Sequence, residues 1–441
     1  MYNLSPKIKL YSIVLIVLGL IMFGAGYMIN HGTDKAKVEQ MMNTVHGSGE
    51  HHQPVNSAEM VGPQDHAAHL EHAMHMVHNE PMAALLTAAM LFFGISTCAL
   101  FFLTIQHVGN VGWSVIVIRV MEAVASYIPV GGVIMLIIVV LNVTHQAHLY
   151  HWMDGSLVDP KSPNFDVILF EKSKFLNIPF FTVRSLIYVA GAVFFVFKLK
   201  SLSKKLDETK SRKDYQMLKN WSVGYIAFFG LASAAWAWDW LMSIDPHWYS
   251  TLYIWYAMSS ALTSAIAVII IVSVYLKKNN FLPEFNDNHL HDLAKYLFAT
   301  SMLWSYFWFS QYMLAWYANV PEEVNYFLGR FDFYQPTFLP MLIPNFLIPL
   351  LVMVSSSIKR NYNVVVAMAV IVILGHWVDH FNMVFPGTVG PYWNFGLLEF
   401  GAFFFIVGLF ALTVMTALSK LKLIPEGHPL LHESKIFEYP F

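Results

Sequence analysis

Apolar residues along this chain gather into about ten long stretches, which are separated mostly by short polar loops. The stretches run approximately 9–29, 82–105, 114–142, 178–199, 221–244, 251–276, 293–318, 337–357, 363–383 and 395–419. A helix needs about 20 apolar residues to cross the hydrocarbon core of a membrane, and these stretches reach that length. The pattern therefore predicts an all-α, polytopic integral membrane protein with about ten transmembrane helices.

Lysine and arginine crowd the loops on one side of the predicted helix array. Eight of them fall between residues 198 and 219, whereas the loops at 245–250 and 384–394 have none. Cytoplasmic loops of membrane proteins carry the excess of Lys and Arg. The asymmetry predicts cytoplasmic N- and C-termini in a bacterial inner membrane, with residues 31–80 in the periplasm.

Composition excludes several classes of protein and of site. The chain is 56% hydrophobic and only 12% charged, which is far from the balance of a soluble globular protein. Its formal charge of -2 gives no reason to expect binding to nucleic acid. The single cysteine, Cys98, excludes a self-contained iron-sulfur cluster, a thiolate zinc site and an intrachain disulfide.

The segment 31–80 is rich in histidine, and its last five histidines recur every three residues from His66 to His78. A metal site is one interpretation, because neutral imidazole is a common ligand. A row of histidines alone lacks a defined coordination geometry. The spacing therefore favours a polar helix that contacts solvent or a partner, and we predict no bound metal.

The fifth stretch places a carboxylate, Asp239, inside an apolar run among four tryptophans. An ionisable side chain at membrane depth is costly, so such residues usually face the interior of a helix bundle. Two interpretations remain open, a role in charge transfer or proton handling and a static buried salt bridge. Arg184, near the outer start of the fourth stretch, is a natural partner for Asp239 or Glu399.

The third stretch carries Arg119 and Glu122 about one turn apart, so the two side chains can pair. Pro129 removes a backbone donor and should bend this helix. A bent helix with a buried acid suits a hydrated half-channel from the inside, and a structural ion pair at the bend is the equal alternative. Four prolines between 336 and 349 likewise predict irregular backbone in the eighth stretch.

The ninth stretch ends in a second ionisable cluster, formed by His376, Asp379 and His380. Asp239 and Asp379 would lie at similar depth if the chain folds as two successive four-helix bundles. We predict a proton path in which Glu122 serves an inner half-channel. Its outer half-channel would use Asp239, Asp379, His376, His380 and Glu399.

Two runs carry a family resemblance, Trp238–Thr251 (WDWLMSIDPHWYST) and Ser310–Glu323 (SQYMLAWYANVPEE). They resemble the membrane subunits of alternative complex III, which belong to the NrfD-like, polysulfide-reductase superfamily of quinone-interacting membrane proteins. The length and the long first outer loop are most similar to the ActF type of subunit. The resemblance implies a respiratory complex in which quinol is oxidised. Electrons then pass through iron-sulfur and haem c groups of partner subunits to a periplasmic acceptor.

The resemblance also implies a division of the chain and a set of partners. The parts are an N-terminal transmembrane helix (1–30), the His-rich periplasmic loop (31–80), a first four-helix bundle (81–245), a second four-helix bundle (246–385), and a last transmembrane helix with a cytoplasmic tail (386–441). The implied partners are an NrfD-like paralogue, an iron-sulfur subunit, c-type cytochrome subunits and a terminal oxidase.

The residues limit what this chain can do inside such a complex. A transmembrane haem b needs histidines that face each other from different helices, but His376 and His380 share one helix near its end. With one cysteine and no Cys-x-x-Cys-His, we predict that the chain holds no redox centre. Quinone contact, proton movement and scaffolding remain. The alternatives are an independent ion-coupled secondary transporter and a purely structural membrane anchor.

Overall fold

The computed structural model describes Tyr2, residues 4–48 and residues 63–439, with the side chains of 45–48, 63–68 and 322 left undescribed. This part of the chain is helical and contains no strand. The helices are α1 (Pro6–His31), α2 (Lys35–Ser48), α3 (Pro63–Val108), α4 (Ile118–Ala125), α5 (Ile128–Val143), α6 (Val167–Lys172), α7 (Ile178–Thr209), α8 (Arg212–Trp236), α9 (Tyr253–Lys278), α10 (Asp287–Ala318), α11 (Pro321–Phe333), α12 (Gln335–Phe338), α13 (Ile348–Val352), α14 (Tyr362–Thr388), α15 (Leu397–Ser419) and α16 (Leu431–Lys435).

Eight helical segments in the described residues are long and apolar enough to cross a membrane. They are α1, residues 69–108 of α3, residues 113–143, α7, α9, residues 335–352, α14 and α15. The fold class, an all-α polytopic membrane protein, is therefore confirmed. The count of about ten is not confirmed, because α8 and α10 occupy the fifth and seventh predicted spans but are less apolar. Their Ser, Tyr and Trp residues and their charged first turns lower the mean hydropathy.

Prolines interrupt the third and eighth spans, as predicted. In the third span α4 ends at Ala125, and Pro129 lies in the first turn of α5, where its missing N–H leaves no helical hydrogen bond unmade. In the eighth span the residues Ile343–Leu347 form a π-helix between α12 and α13. Irregular backbone at membrane depth needs cover from protein or a cavity, and α10 and α14 both pack against this segment.

Helix α3 lies at the centre of the molecule. It packs against α4, α5, α8, α9, α14 and α15, and nearly all of its side chains from Ala83 to Leu103 are buried. The helix begins at Pro63, well before the predicted apolar stretch, so it carries the row of histidines on its first turns. The predicted loop 31–80 is thus helical near both of its ends, in α2 and in α3.

Glycines allow the close packing of α1 on α15. A Cβ atom built on Gly19 would lie 2.8 Å from the Phe405 Cα, and one built on Gly401 would lie 2.8 Å from the Phe23 Cα. Small residues of this kind let helix backbones approach each other within a membrane. The first and last long helices therefore form a tight pair on the flank of α3.

Both ends of the described chain lie at one end of the helix array, which we call the terminal end. The Tyr2 ring packs edge-on against that of Phe281 at 5.0 Å, and the Phe437 ring lies 5.5 Å from that of His289. The other end, called the opposite end, is held by contacts such as that of Lys172 Nζ with the Pro246 carbonyl oxygen at 2.5 Å. The compartment that each end faces stays a prediction.

Candidate functional site

Asp239 lies in a π-helical turn, Ala237–Leu241, that follows α8, and its side chain is fully buried. The guanidinium of Arg184 binds it in bidentate fashion, with Nε 2.7 Å from Oδ2 and Nη2 2.8 Å from Oδ1. The Tyr188 hydroxyl donates a third hydrogen bond to Oδ2 at 3.1 Å. Arg184 therefore forms its ion pair with Asp239 and not with Glu399, the other partner that the sequence suggested.

The Arg184–Asp239 pair is held rigidly by its surroundings. The Arg184 guanidinium lies against the rings of Phe175 and Phe180, with its Cζ atom 3.9 and 4.0 Å from their centroids. Its Nη1 donates to the Phe175 carbonyl oxygen at 3.1 Å. Such stacking and bidentate bonding suit the planar, permanently charged guanidinium. The geometry favours the static buried salt bridge among the two interpretations of Asp239.

Asp379 is also fully buried, on α14, but its partners are of a different kind. The Tyr256 hydroxyl donates a short hydrogen bond to Oδ1, while Ser260 Oγ and Trp304 Nε1 each donate to Oδ2 at 2.9 Å. No lysine or arginine in the described chain forms an ion pair with this carboxylate. Three neutral donors from α9 and α10 therefore surround a buried acid that has no permanent counter-charge.

Two buried histidines complete the Asp379 cluster. His376 Nδ1 lies 3.0 Å from Ser260 Oγ and 3.5 Å from Asp379 Oδ2. His380 Nδ1 lies 2.9 Å from the His376 carbonyl oxygen, which can only accept, so this nitrogen carries a proton. The Nε2 atoms of both rings are buried and have no hydrogen-bond partner among the described residues.

More unpartnered polar groups lie on the helices around the Asp379 cluster. Both side-chain amide atoms of Asn345, in the π-helix of the eighth span, are buried without a partner. A Cβ built on Gly375 would lie 2.9 Å from Asn345 Cγ, so this amide lies directly against the turn that carries His376. Ser301 Oγ and Gln311 Nε2 on α10 are likewise unpartnered. Buried polar groups are normally satisfied, so this concentration indicates a place for water or for a polar ligand.

At the terminal end Arg119 joins two acids. Its Nη1 lies 2.5 Å from Glu122 Oε2, which confirms the predicted pairing, and its Nη2 forms a short contact with Asp207. Ser203 Oγ accepts a further hydrogen bond from Nη1 at 2.9 Å. The other oxygen of Asp207 accepts from the backbone N–H of Gly427. This network ties the third span to α7 and to the segment that follows α15.

Glu399 is buried at the start of α15 and lies apart from Glu122, Asp239 and Asp379. Its Oε2 accepts the backbone N–H of Gly396 at 2.7 Å, which caps the helix, whereas Oε1 has no partner. Glu80 on α3 lines the same small cavity. No direct hydrogen bond in the described residues links Glu399, Glu122 or Asp239 to the Asp379 cluster.

The predicted proton-path residues therefore lie at four separate places in the fold. Only His376, Asp379 and His380 lie together in one cluster. Sequence reasoning missed Tyr256, Ser260 and Trp304, the donors to Asp379. Tyr256 and Ser260 are four residues apart on α9, which places them on one helical face, and that spacing was the available signal. Within the described residues, no group of three His, Cys, Asp or Glu side chains is arranged to hold a metal ion.

No protein-family profile and no curated protein sequence matches this chain.

Proposed function

We propose that this chain is a membrane subunit of a quinol-oxidising respiratory complex and that Asp379, His376 and His380 form a proton relay within it. The observation that carries the relay is a fully buried acid with three neutral donors and no cation, beside two imidazoles whose Nε2 atoms are unpartnered. The respiratory complex itself is supported by the resemblance of the Trp238–Thr251 and Ser310–Glu323 runs to alternative complex III.

In this proposal the Asp379 cluster transfers protons and does not transfer electrons. Oxidation of a quinol releases two protons and two electrons. The electrons would pass to the iron-sulfur clusters and haem c groups of partner subunits. The proposed partners are an iron-sulfur subunit, c-type cytochrome subunits, an NrfD-like paralogue and a terminal oxidase. Histidine changes its charge near neutral pH, and a buried carboxylate without a fixed counter-charge can accept or give up a proton.

The position of the cluster suits release of protons at the opposite end. Asp379 precedes Thr388, the last residue of α14, by nine residues, which corresponds to about 14 Å at a helical rise of ~1.5 Å per residue. The terminal end carries the lysine-rich turn between α7 and α8, so the positive-inside rule places it in the cytoplasm of a bacterial inner membrane. The opposite end then faces the periplasm.

In this proposal Asp239 has a structural role and is not part of the proton relay. A guanidinium is always charged, and two of its N–H groups are directed at the two Asp239 oxygens. A proton on one of these oxygens would displace the N–H directed at it and leave the buried guanidinium charge without compensation. We therefore assign Asp239 and Arg184 to positioning α7 against α8. Glu122 and Arg119 have an equivalent role between the third span and α7.

An ion-coupled secondary transporter is the second candidate. It is favoured by the π-helix of the eighth span, whose Asn345 lies against Gly375 beside the cluster. Irregular helices that flank a buried polar site are typical of alternating-access transporters. Co-purification with haem and iron-sulfur subunits supports the respiratory subunit. A stable lone chain that moves ions across liposomes supports the transporter.

The relay is tested by Asp379→Asn, which keeps the side-chain volume and removes the titratable group. We expect the complex to assemble with its haems and to oxidise quinol, while the number of protons released per quinol falls. The matched control is Asp332→Asn, an exposed acid at the end of α11. Failure of the Asp379 variant to assemble would favour a structural anchor, and assembly with unchanged proton release would overturn the relay.

A further inference from the structure

A cavity of about 270 Å³ opens at the opposite end, between α1, α2, α3 and α15. Two carboxylates line it, Glu80 from α3 and Glu399 from α15, together with Asn30 from α1. The cavity lies apart from the Asp379 cluster, because Glu399 forms no hydrogen bond with any member of that cluster in the described chain.

Within the described residues, the two carboxylates of this cavity accept hydrogen bonds from neutral donors. Glu80 accepts hydrogen bonds from Asn30 Nδ2 at 2.8 Å and from the Asn394 backbone N–H at 3.4 Å. Glu399 is only 3% exposed, and its Oε1 is buried without a partner. No Lys or Arg nitrogen in the described residues forms an ion pair with either acid. A carboxylate that is removed from water without a cation is costly, so a ligand that brings positive charge and N–H donors would stabilise both acids in their charged forms.

The rim of the cavity has the opposite character. Lys37 of α2 lines it with an exposed side chain, and Thr33 lies one turn before Lys37. Ile29 and Leu397, which are 60% and 43% exposed, add an apolar border on the outer surface of α1 and α15. Negative groups inside, a cation at the rim and an apolar border match the parts of a zwitterionic phospholipid.

We propose that this cavity binds the headgroup of a phospholipid that carries a primary amine, such as phosphatidylethanolamine. Its ammonium group would bind Glu80 and Glu399, its phosphate would lie near Lys37, and its acyl chains would follow Ile29 and Leu397 into the bilayer. A primary ammonium donates three hydrogen bonds, whereas the quaternary ammonium of phosphatidylcholine donates none. An anionic headgroup would meet two carboxylates.

This site is independent of the proton relay, and a lipid bound there would help to hold α2 against the rest of the protein. Helix α2 has few apolar side chains, yet Val38 and Met42 pack against Ala73 and Val77 at the start of α3. A lipid held between Lys37 and the two acids would join α2 to α1, α3 and α15. Loss of this lipid would loosen the opposite end without changing the Asp379 cluster.

Native mass spectrometry of the purified complex tests the proposal with phosphatidylethanolamine, phosphatidylcholine and phosphatidylglycerol of identical acyl chains. The ethanolamine ammonium can donate hydrogen bonds to the two acids, and one hydrogen bond to a charged group changes an affinity about tenfold or more. We therefore expect phosphatidylethanolamine to bind at least about tenfold more tightly than either of the other two lipids. Equal affinity for the ethanolamine and choline lipids would overturn the proposal. Binding of free ethanolamine as tight as that of the lipid would also overturn it, because the ligand would then be a soluble amine.

Two variants and one control locate the binding to this cavity. Glu399→Gln can still cap the Gly396 N–H, and Glu80→Gln can still accept the shorter of its two hydrogen bonds, the one from Asn30, so each variant removes charge and keeps its main structural hydrogen bond. We expect each to weaken phosphatidylethanolamine binding about tenfold and to remove the preference over phosphatidylcholine. The control Glu171→Gln, an exposed acid at the same end, should bind like the parent chain. Unchanged selectivity in both cavity variants would refute the site, and if one variant does not fold, the other decides.

Discussion

The buried pair of Arg184 and Asp239 allows a quantitative prediction about stability. Replacing Arg184 by Gln removes two hydrogen bonds of 2.7 and 2.8 Å and leaves the Asp239 carboxylate with only the Tyr188 hydroxyl. Breaking a buried ion pair from one side typically costs about 3–5 kcal/mol, because the remaining charge is buried without compensation. We expect a loss of this size for Arg184→Gln and a comparable loss for Asp239→Asn.

The double variant separates the interaction from the effect of each residue. In Arg184→Gln combined with Asp239→Asn both side chains are neutral amides that can pair with each other. We therefore expect the double variant to lose clearly less stability than the sum of the two single losses. Contacting residues of this kind show coupling energies of about 0.5–3 kcal/mol, and a fully buried ion pair should lie at the upper end.

Equilibrium unfolding in dodecyl sulfate, followed by tryptophan fluorescence, measures these losses because the chain has 13 tryptophans. The control is Lys422→Gln, which breaks the exposed pair of Lys422 and Glu426 and should change the free energy of unfolding little. The reasoning is refuted if Arg184→Gln costs no more than this control. It is also refuted if the double loss equals the sum of the single losses.

Two further predictions follow from the packing and the charges. Gly19→Leu should separate α1 from α15, because even a Cβ there would lie closer than 3.0 Å to backbone atoms of both Gly401 and Phe405. Gly24→Leu should be tolerated, because nothing lies within 4 Å of a Cβ built there, and protease access to α1 measures the difference. Burial, with His107 and Arg119 nearby, lowers the pKa of His428 to about 3, below about 6.5 for an unfolded histidine. The stability from neutral His428 is therefore full above pH 6.5 and should fall by about 1.4 kcal/mol per pH unit below it. Unfolding of the parent at pH 7 and 5, compared with His428→Phe, checks this dependence.

The membrane helices and their irregular points could be predicted because they depend on local sequence. Length and apolarity define a span, and prolines near 129 and between 336 and 349 mark the breaks that the structure contains. The histidine spacing favours a polar helix, and α3 contains that row, but the continuity of this polar part with the second span could not be predicted from apolarity. The first turns of α3 are polar, and the helix continues through Pro81 into the apolar span.

The candidate site was predictable only where its partners are near in sequence. Arg119 and Glu122 are three residues apart and pair as expected, and His376, Asp379 and His380 share successive turns of one helix. The donors to Asp379 come from positions 75 to 123 residues away. Periodicity cannot tell which helix faces which, so the hydroxyls and the indole that surround this acid emerge only from the tertiary fold.

Asp239 and Asp379 show why a motif alone does not assign a role to a buried acid. Both lie among aromatic residues near the outer ends of predicted spans, and both are fully buried. One is bound by a guanidinium, which keeps a fixed charge beside it at every physiological pH. The other is bound by a phenol, a hydroxyl and an indole beside histidine nitrogens without partners. Only the second arrangement lets the protonation of the acid change without stranding a buried cation, so proton handling in this chain should depend on Asp379 and its structural integrity on Asp239.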